Sequence, residues 1–458
     1  MRSAITAALT LGLSALFAVA APDARANGRF PQSNAIFFAP NDPNVVLLRT
    51  TFGELLSHDH GETFDWICER SIGLAGADDP MYAITPDGTL VASTFQGLAI
   101  SHDRACNFAF AGGPVKDLVF IDVTSRPSTP GTIIAFASSY AGQDDAGAIF
   151  FKSTLFETKD EGKTFAQLGT SFDPALIGET VDTTPSDPDR IYVSAVRNVG
   201  TPAASGALLT SRDHGATFEE NPFALTTGER GAYIAAVDPA NADRLYVRTS
   251  SGTDLPSRLL LSEDAGKSFR TIFTGTGPLA GFALSADGKR IYVGGPKDGL
   301  VAASTTDFQW EKKSTVEVGC LKWNADGLWA CSGEKSGFVL GLSKDEGATF
   351  KPLLHFCDIR GPLACAAGST TNVECALGGT GASRTPPWPS QRAALGCDGP
   401  GTRDAGPVDA AHDSAAGGGT EPMDGGGGCS LRTPAPSPLA GLLVGAAATL
   451  ALLRRRRR

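Results

Sequence analysis

The octapeptide SHDHGETF at 57–64 decides the fold, because it returns as TKDEGKTF (158–165), SRDHGATF (211–218), SEDAGKSF (262–269) and SKDEGATF (343–350). Two looser copies, SHDRACNF (101–108) and STTDFQW (304–310), fill the gaps in the series. The seven copies recur about every 48 residues, the length of one four-stranded propeller blade. A second signal keeps the same count. Ahead of each copy comes a turn and then a strand: PNDPNVVLLRT (40–50), TPDGTLVAST (85–94), SRPSTPGTIIAFASS (125–139), PSDPDRIYVSA (185–195), DPANADRLYVRT (238–249), SADGKRIYVGG (285–295) and NADGLWACSG (324–333). An apolar run precedes each turn, as in NAIFFAP (34–40) and AYIAAVD (232–238). One unit therefore reads strand, turn, strand, loop, strand, octapeptide, strand, which is four antiparallel strands. The sequence predicts an all-β chain, a seven-bladed β-propeller of four-stranded antiparallel blades over residues 27–356.

Composition agrees with this class. Of 458 residues, 54 are Gly and 29 Pro, 42% are hydrophobic and 19% charged. That is too apolar for a disordered chain and too rich in turn formers for long helices. A formal net charge of -10 offers no basic footprint for a phosphate backbone, so no nucleic-acid partner is expected.

The S-x-D-x-G-x-[TS]-F pattern resembles the Asp-box, or BNR repeat, of sialidases, sortilin-like receptors, xyloglucan hydrolases and photosystem assembly factors. The side chains have local structural work in such a turn. The carboxylates of Asp59, Asp160, Asp213, Asp264 and Asp345 can accept backbone N–H groups, and Gly61, Gly162, Gly215, Gly266 and Gly347 can take positive φ. The aromatics Phe64, Phe165, Phe218, Phe269 and Phe350 can pack between sheets. The looser copies keep Asp103 and Asp307, lack the Gly, and are expected to form the least regular turns. No metal or cofactor is assigned to the turns, and H-x-H at His58 and His60, with His214 in a matching place, reads as surface turn.

The two ends carry addresses. Residues 1–26 have a basic start, an apolar core and an Ala24-Arg25-Ala26 cleavage pattern, which is a secretory signal peptide ending at Ala26. Residues 398–428 are Gly, Ala, Asp and Pro with almost no large apolar group, an acidic tether in which His412 is inert. Residues 429–458 follow as Cys429, the apolar run LAGLLVGAAATLALL (439–453) and five arginines. This arrangement resembles the C-terminal sorting tail of many myxobacterial surface proteins. The resemblance implies removal of the helix and retention at the cell envelope through Cys429, with membrane contact before processing. The alternative is a permanent single-span anchor.

Export permits disulfides. Cys68 and Cys106 are expected to link adjacent blades, and Cys320 and Cys331 to pair within a hairpin. Cys357, Cys365, Cys375 and Cys397 form a disulfide-rich segment at 357–397, with 357–365 and 375–397 preferred among three connectivities. The rival zinc reading finds no C-x-x-C pair and only 6 His.

Propellers bind on the face where linking loops converge. A sialidase would need an arginine triad, a Tyr/Glu nucleophile pair and an Asp acid/base. Here NGRFPQ (27–32) is an imperfect match to the family's early Arg-Ile-Pro motif. Arg197, Arg230 and Arg248 are candidate cluster members, with Tyr233 and Glu179 nearby in register. Two inserts, 138–154 and 251–258, are candidate recognition loops, and Asp144 and Asp145 could meet a calcium ion or simply be solvated. The reading is a monomeric, non-catalytic binding or display module for protein or glycan; the alternative is an extracellular glycoside hydrolase, sialidase-like or xyloglucanase-like.

Overall fold

The computed structural model describes residues 30–397 apart from 75–77, 130, 146, 253–254 and 379–386. The signal peptide, the tether and the Cys429 tail lie outside the described residues. Within them, β1 to β28 form seven four-stranded antiparallel sheets, each built from strands consecutive in sequence. The blades span 33–67, 82–110, 120–168, 176–223, 229–274, 281–314 and 320–354. The first strands of neighbouring blades touch one another. β1 (Ser33–Phe38) meets both β5 (Tyr82–Ile84) of blade 2 and β25 (Cys320–Asn324) of blade 7, so the ring closes without a shared sheet.

The core is divided among the seams. Each of the seven buried apolar clusters draws from two consecutive blades, and each takes in the aromatic of the second blade's octapeptide. Phe64 lies fully buried with Trp66 of its own blade and Trp329 of blade 7. The turns themselves are closed by their own side chains. Around 211–217, Ser211 Oγ donates to Asp213 Oδ1 (2.8 Å) and accepts from Gly215 N (2.8 Å), while Thr217 donates its N–H (2.9 Å) and its hydroxyl (2.6 Å) to Asp213. Those bonds hold the Asp213 carboxyl down at about 2, with the Thr217 hydroxyl contributing most. Gly266 shows why the glycine is required. Its φ is +88°, and a Cβ there would sit 2.1 Å from Leu208 Cδ2 of the preceding blade.

One expectation about these turns needs correcting. The copy at 101–108 is regular although it lacks the glycine: Ala105 takes φ 69° and donates to Ser101 Oγ, and Asn107 supplies both donors to Asp103. An amide donor replaces the usual hydroxyl, and a small residue tolerates the left-handed conformation. The copy at 304–310 does differ: Thr306 N donates to Ser304 Oγ (3.1 Å), Phe308 N to Ser304 O (3.0 Å) and Gln309 N to Asp307 Oδ1 (3.2 Å).

The residue after the Asp shares a feature the pattern did not advertise. His60, Arg104, Glu161, His214, Ala265, Phe308 and Glu346 all have φ between 51° and 64°. Left-handed backbone costs a side-chain-bearing residue roughly 1–2 kcal/mol, and at most seams the side chain gains a contact across to the preceding blade. His60 pairs with Asp326 (3.0 Å), His214 with Glu157 (2.9 Å), and Glu346 with Arg290 (2.7 Å).

The cysteine pairing departs from expectation. Cys320–Cys331 forms as predicted, across directly opposed residues of β25 and β26 (Gly327–Cys331). The others are Cys68–Cys375, Cys106–Cys365 and Cys357–Cys397, in place of 68–106, 357–365 and 375–397. The reason is the path of the chain after blade 7, which crosses the closing seam and continues onto blades 1 and 2. On the way it extends the sheet of blade 1: Trp66 N donates to Gly361 O (2.7 Å) and Leu363 N to Trp66 O (2.9 Å), covering the outer edge of β4 (Asp65–Ile67). Trp388, on helix α2 (Trp388–Ala394), packs 5.4 Å from Trp66, and Arg70, on helix α1 (Glu69–Ile72), pairs with Glu374 (3.1 Å). Such disulfides belong to an exported protein. Among the described residues, no helix is long and apolar enough to cross a membrane.

Replacing Cys68 and Cys375 by Ala should lower stability more than replacing Cys320 and Cys331. With Cys106–Cys365 intact the long loop shrinks to about 50 residues, so the chain-entropy difference from the 11-residue loop is about 1 kcal/mol. Thermal unfolding of the two double variants checks this order; equal or reversed losses would contradict it.

Candidate functional site

Antiparallel order gives the ring two unlike faces. The first-to-second-strand turns and the octapeptide turns share one; the blade linkers and second-to-third-strand loops share the other. Both inserts lie on the linker face. In blade 3, β10 (Ile133–Gln143) and β11 (Ile149–Thr158) outrun the strands that flank them, so 138–154 is a two-stranded arm with Tyr140 exposed at 66%. Asp144 turns the arm's tip, its carboxylate accepting Ala148 N at 2.9 Å, and Asp145 is exposed. Among the described residues no group of three His, Cys, Asp or Glu could hold a metal ion.

A polar set does converge nearer the axis. Glu179 stands at an irregularity in β13 (Leu176–Thr184), where the register with β14 (Asp187–Arg197) shifts between Gly178 and Thr180. It hydrogen-bonds Tyr233 on β17 (Glu229–Val237) of the next blade. Arg248, directly opposite Tyr233 on β18 (Leu245–Ser251), places its guanidinium 5.3 Å from the tyrosine ring centre and donates to Leu279 O at 2.7 Å. Gly231 leaves the room for this set: a Cβ there would lie 3.1 Å from Ser250 Oγ and 3.2 Å from both Glu179 Oε1 and Tyr233 Oη.

Burial pushes the Glu179 carboxyl up to about 7, against the opposing hydrogen bond from Tyr233. Near neutral pH this group therefore both donates and accepts. Burial, and then the Glu179 charge, push the Tyr233 phenol up as well.

The remaining candidates stand apart from this set. Arg197 reaches Glu220 (2.6 Å) on the outermost strand β16 (Glu219–Phe223) and Asp173 (3.1 Å) in the preceding linker. Arg230 is exposed and makes no ion pair among the described residues. The neighbouring acids are also committed. Asp122 accepts Val123 N (2.9 Å) and Val181 N (2.8 Å), tying the first strands of blades 3 and 4 together, and burial pushes its carboxyl up to about 8. Asp182 accepts Thr183 N (2.8 Å), and Glu229 pairs with Arg258 at 2.6 Å.

A feature that sequence reading missed is a groove of about 590 Å³ on the same face, at the seams of blades 6, 7 and 1. Phe30, Gln32, Glu317 and Lys335 line it, and Phe356 and Leu395 of the disulfide-tied segment complete its wall. Only the fold brings these distant stretches together, so no local signal announced it.

No family model matches this chain. Over 194 residues it is 26% identical to an oligoxyloglucan-reducing end-specific xyloglucanase of Emericella nidulans, a match covering 40% of this chain and 22% of that protein. Among solved structures, it is similar to an ancestral GH74 enzyme at TM-score 0.52 and 14% identity, covering 70% of this chain and 46% of the other. A Hadza microbial sialidase matches at TM-score 0.40 and 14% identity, over 64% and 72% of the two chains. The chain thus spans about a fifth of the curated relative and under half of the GH74 structure, and the structural likeness is one of fold.

Glu179 gives a pH test. Because its folded carboxyl titrates near 7 rather than near its ordinary 4.5, its ionisation removes stability as pH rises through that window. Thermal unfolding of Glu179→Gln should gain on the parent between about pH 5 and about pH 8. A gain that does not grow with pH would contradict the burial of this group.

Proposed function

We propose that this chain is an exported Asp-box propeller, cleaved after Ala26 and retained at the cell envelope through Cys429, whose linker face binds a glycan or protein segment without turning it over. The observation that carries this reading is the composition of the set around Glu179. It holds one carboxyl, beside a phenol, a hydroxyl and an arginine, while Asp122, Asp182 and Glu229 are spent on backbone N–H groups or on Arg258. Glycoside hydrolysis by the common routes uses two carboxyl groups flanking the bond. A single amphoteric carboxyl beside a phenol, a hydroxyl and a guanidinium suits hydroxyl recognition instead. The 590 Å³ groove adds a mixed apolar and polar wall of the size small-ligand sites have.

Glycoside hydrolysis is the second reading, favoured by the partial likeness to the xyloglucanase. Calorimetric titration with xyloglucan oligosaccharides and sialyllactose, run beside a product assay, separates the two. The binding reading expects heat of binding for one of them, weakened at least about tenfold by Glu179→Gln, and no product. Product release abolished by Glu179→Gln would overturn it, as would the absence of binding to these sugars and to a peptide library.

A further inference from the structure

The seams differ in one respect. At six of the seven, the left-handed residue after the octapeptide Asp engages the blade before it. His60, His214 and Glu346 do so through the side-chain pairs given above, and Glu161 by standing against the Asp87 carboxyl. Ala265 accepts from Thr210 Oγ1 (2.9 Å), and Phe308 stacks under Arg270 at 5.0 Å. The equivalent residue of blade 2 is Arg104, with the same backbone (φ 57°), and among the described residues it makes no ion pair. In place of a contact there is a cavity of about 220 Å³.

The walls of that cavity are specific. Asp42, in the first turn of blade 1, occupies the place that Asp87 and Asp326 hold in blades 2 and 7, where each meets the residue after the Asp. Here Asp42 and Arg104 both line the space without reaching each other. Asp42 Oδ1 accepts Asn44 N (3.0 Å), whereas Asp87 accepts from the Thr85 hydroxyl and from Thr89 N. His58 stands on the same rim, and the buried Leu56, Ile84 and Leu90 supply an apolar floor.

We propose that the seam between blades 1 and 2 is a binding site for a small aliphatic zwitterion of the α-amino acid class, its carboxylate on Arg104, its ammonium on Asp42 and its side chain on the apolar floor. A guanidinium recognises a carboxylate through paired donors, and a carboxylate recognises an ammonium as a charge-assisted acceptor. A ligand carrying both groups bridges the gap as the Glu346–Arg290 pair does at the seam of blades 6 and 7. The site lies on the octapeptide face, away from Glu179, so its fate is independent of the reading above.

The probe is L-leucine, compared with isoamylamine, which lacks the carboxylate, and isocaproate, which lacks the ammonium. Calorimetry and thermal shift on the purified protein should detect L-leucine at up to about 10 mM, with both truncated probes weaker by at least about tenfold. Arg104→Gln and Asp42→Asn, each confirmed folded by circular dichroism, should each cause a similar loss. Asp42→Asn keeps an oxygen for Asn44 N, so it stands as a second test should Arg104→Gln fold poorly. No binding of L-leucine, binding unchanged in the folded variants, or isocaproate or isoamylamine binding as tightly as L-leucine would each overturn the proposal.

Discussion

The seam between blades is the contact on which the rest of this structure depends. A single four-stranded sheet has two faces to cover, and here every buried apolar cluster is shared by two consecutive blades. The octapeptide turn is the device that registers one blade on the next. Its aromatic enters the seam, its glycine, where present, lies flat against the preceding blade, and the residue after the Asp, at every seam but that of blades 1 and 2, meets that blade in a backbone conformation that costs energy unless the contact offsets it. Because the aromatic enters every seam in the same way, errors of register have nowhere to accumulate, and the ring can close between β25 and β1 through side chains.

A closure of that kind leaves two weak points, the exposed edge of β4 and the joint itself. The chain after blade 7 answers both. It pairs with Trp66, stacks Trp388 on it, and is fixed to blades 1 and 2 by Cys375 and Cys365. The same segment contributes Phe356 and Leu395 to the large groove on the linker face. Ring closure and the shaping of that surface are thus one structural act.

Much of this was legible in the sequence, and the reasons for success and failure are physical. Features set by local chemistry could be read: the seven turns, the positive φ of the octapeptide glycines, the Cys320–Cys331 hairpin bridge and the blade count. Features set by what lies across a seam could not. Cys68 and Cys106 looked like partners because they sit near one another in the repeat, and only the return path of 355–397 reveals that each meets a residue far along the chain. The residues after the octapeptide Asp vary from His to Arg, Glu, Ala and Phe, so identity concealed a shared backbone state. Tyr233, Glu179 and Arg248 were found by register and do converge, whereas Arg197 had the right position and the wrong direction, drawn outward by Glu220 and Asp173.

The central claim is that the closing seam is tied down by a segment returning from blade 7 onto blades 1 and 2. Proteolysis of the unreduced protein followed by mass spectrometric mapping of disulfide-linked peptides tests it directly. The account predicts Cys68–Cys375, Cys106–Cys365, Cys320–Cys331 and Cys357–Cys397. Recovery of Cys68 linked to Cys106, or of Cys375 linked to Cys397, would contradict it.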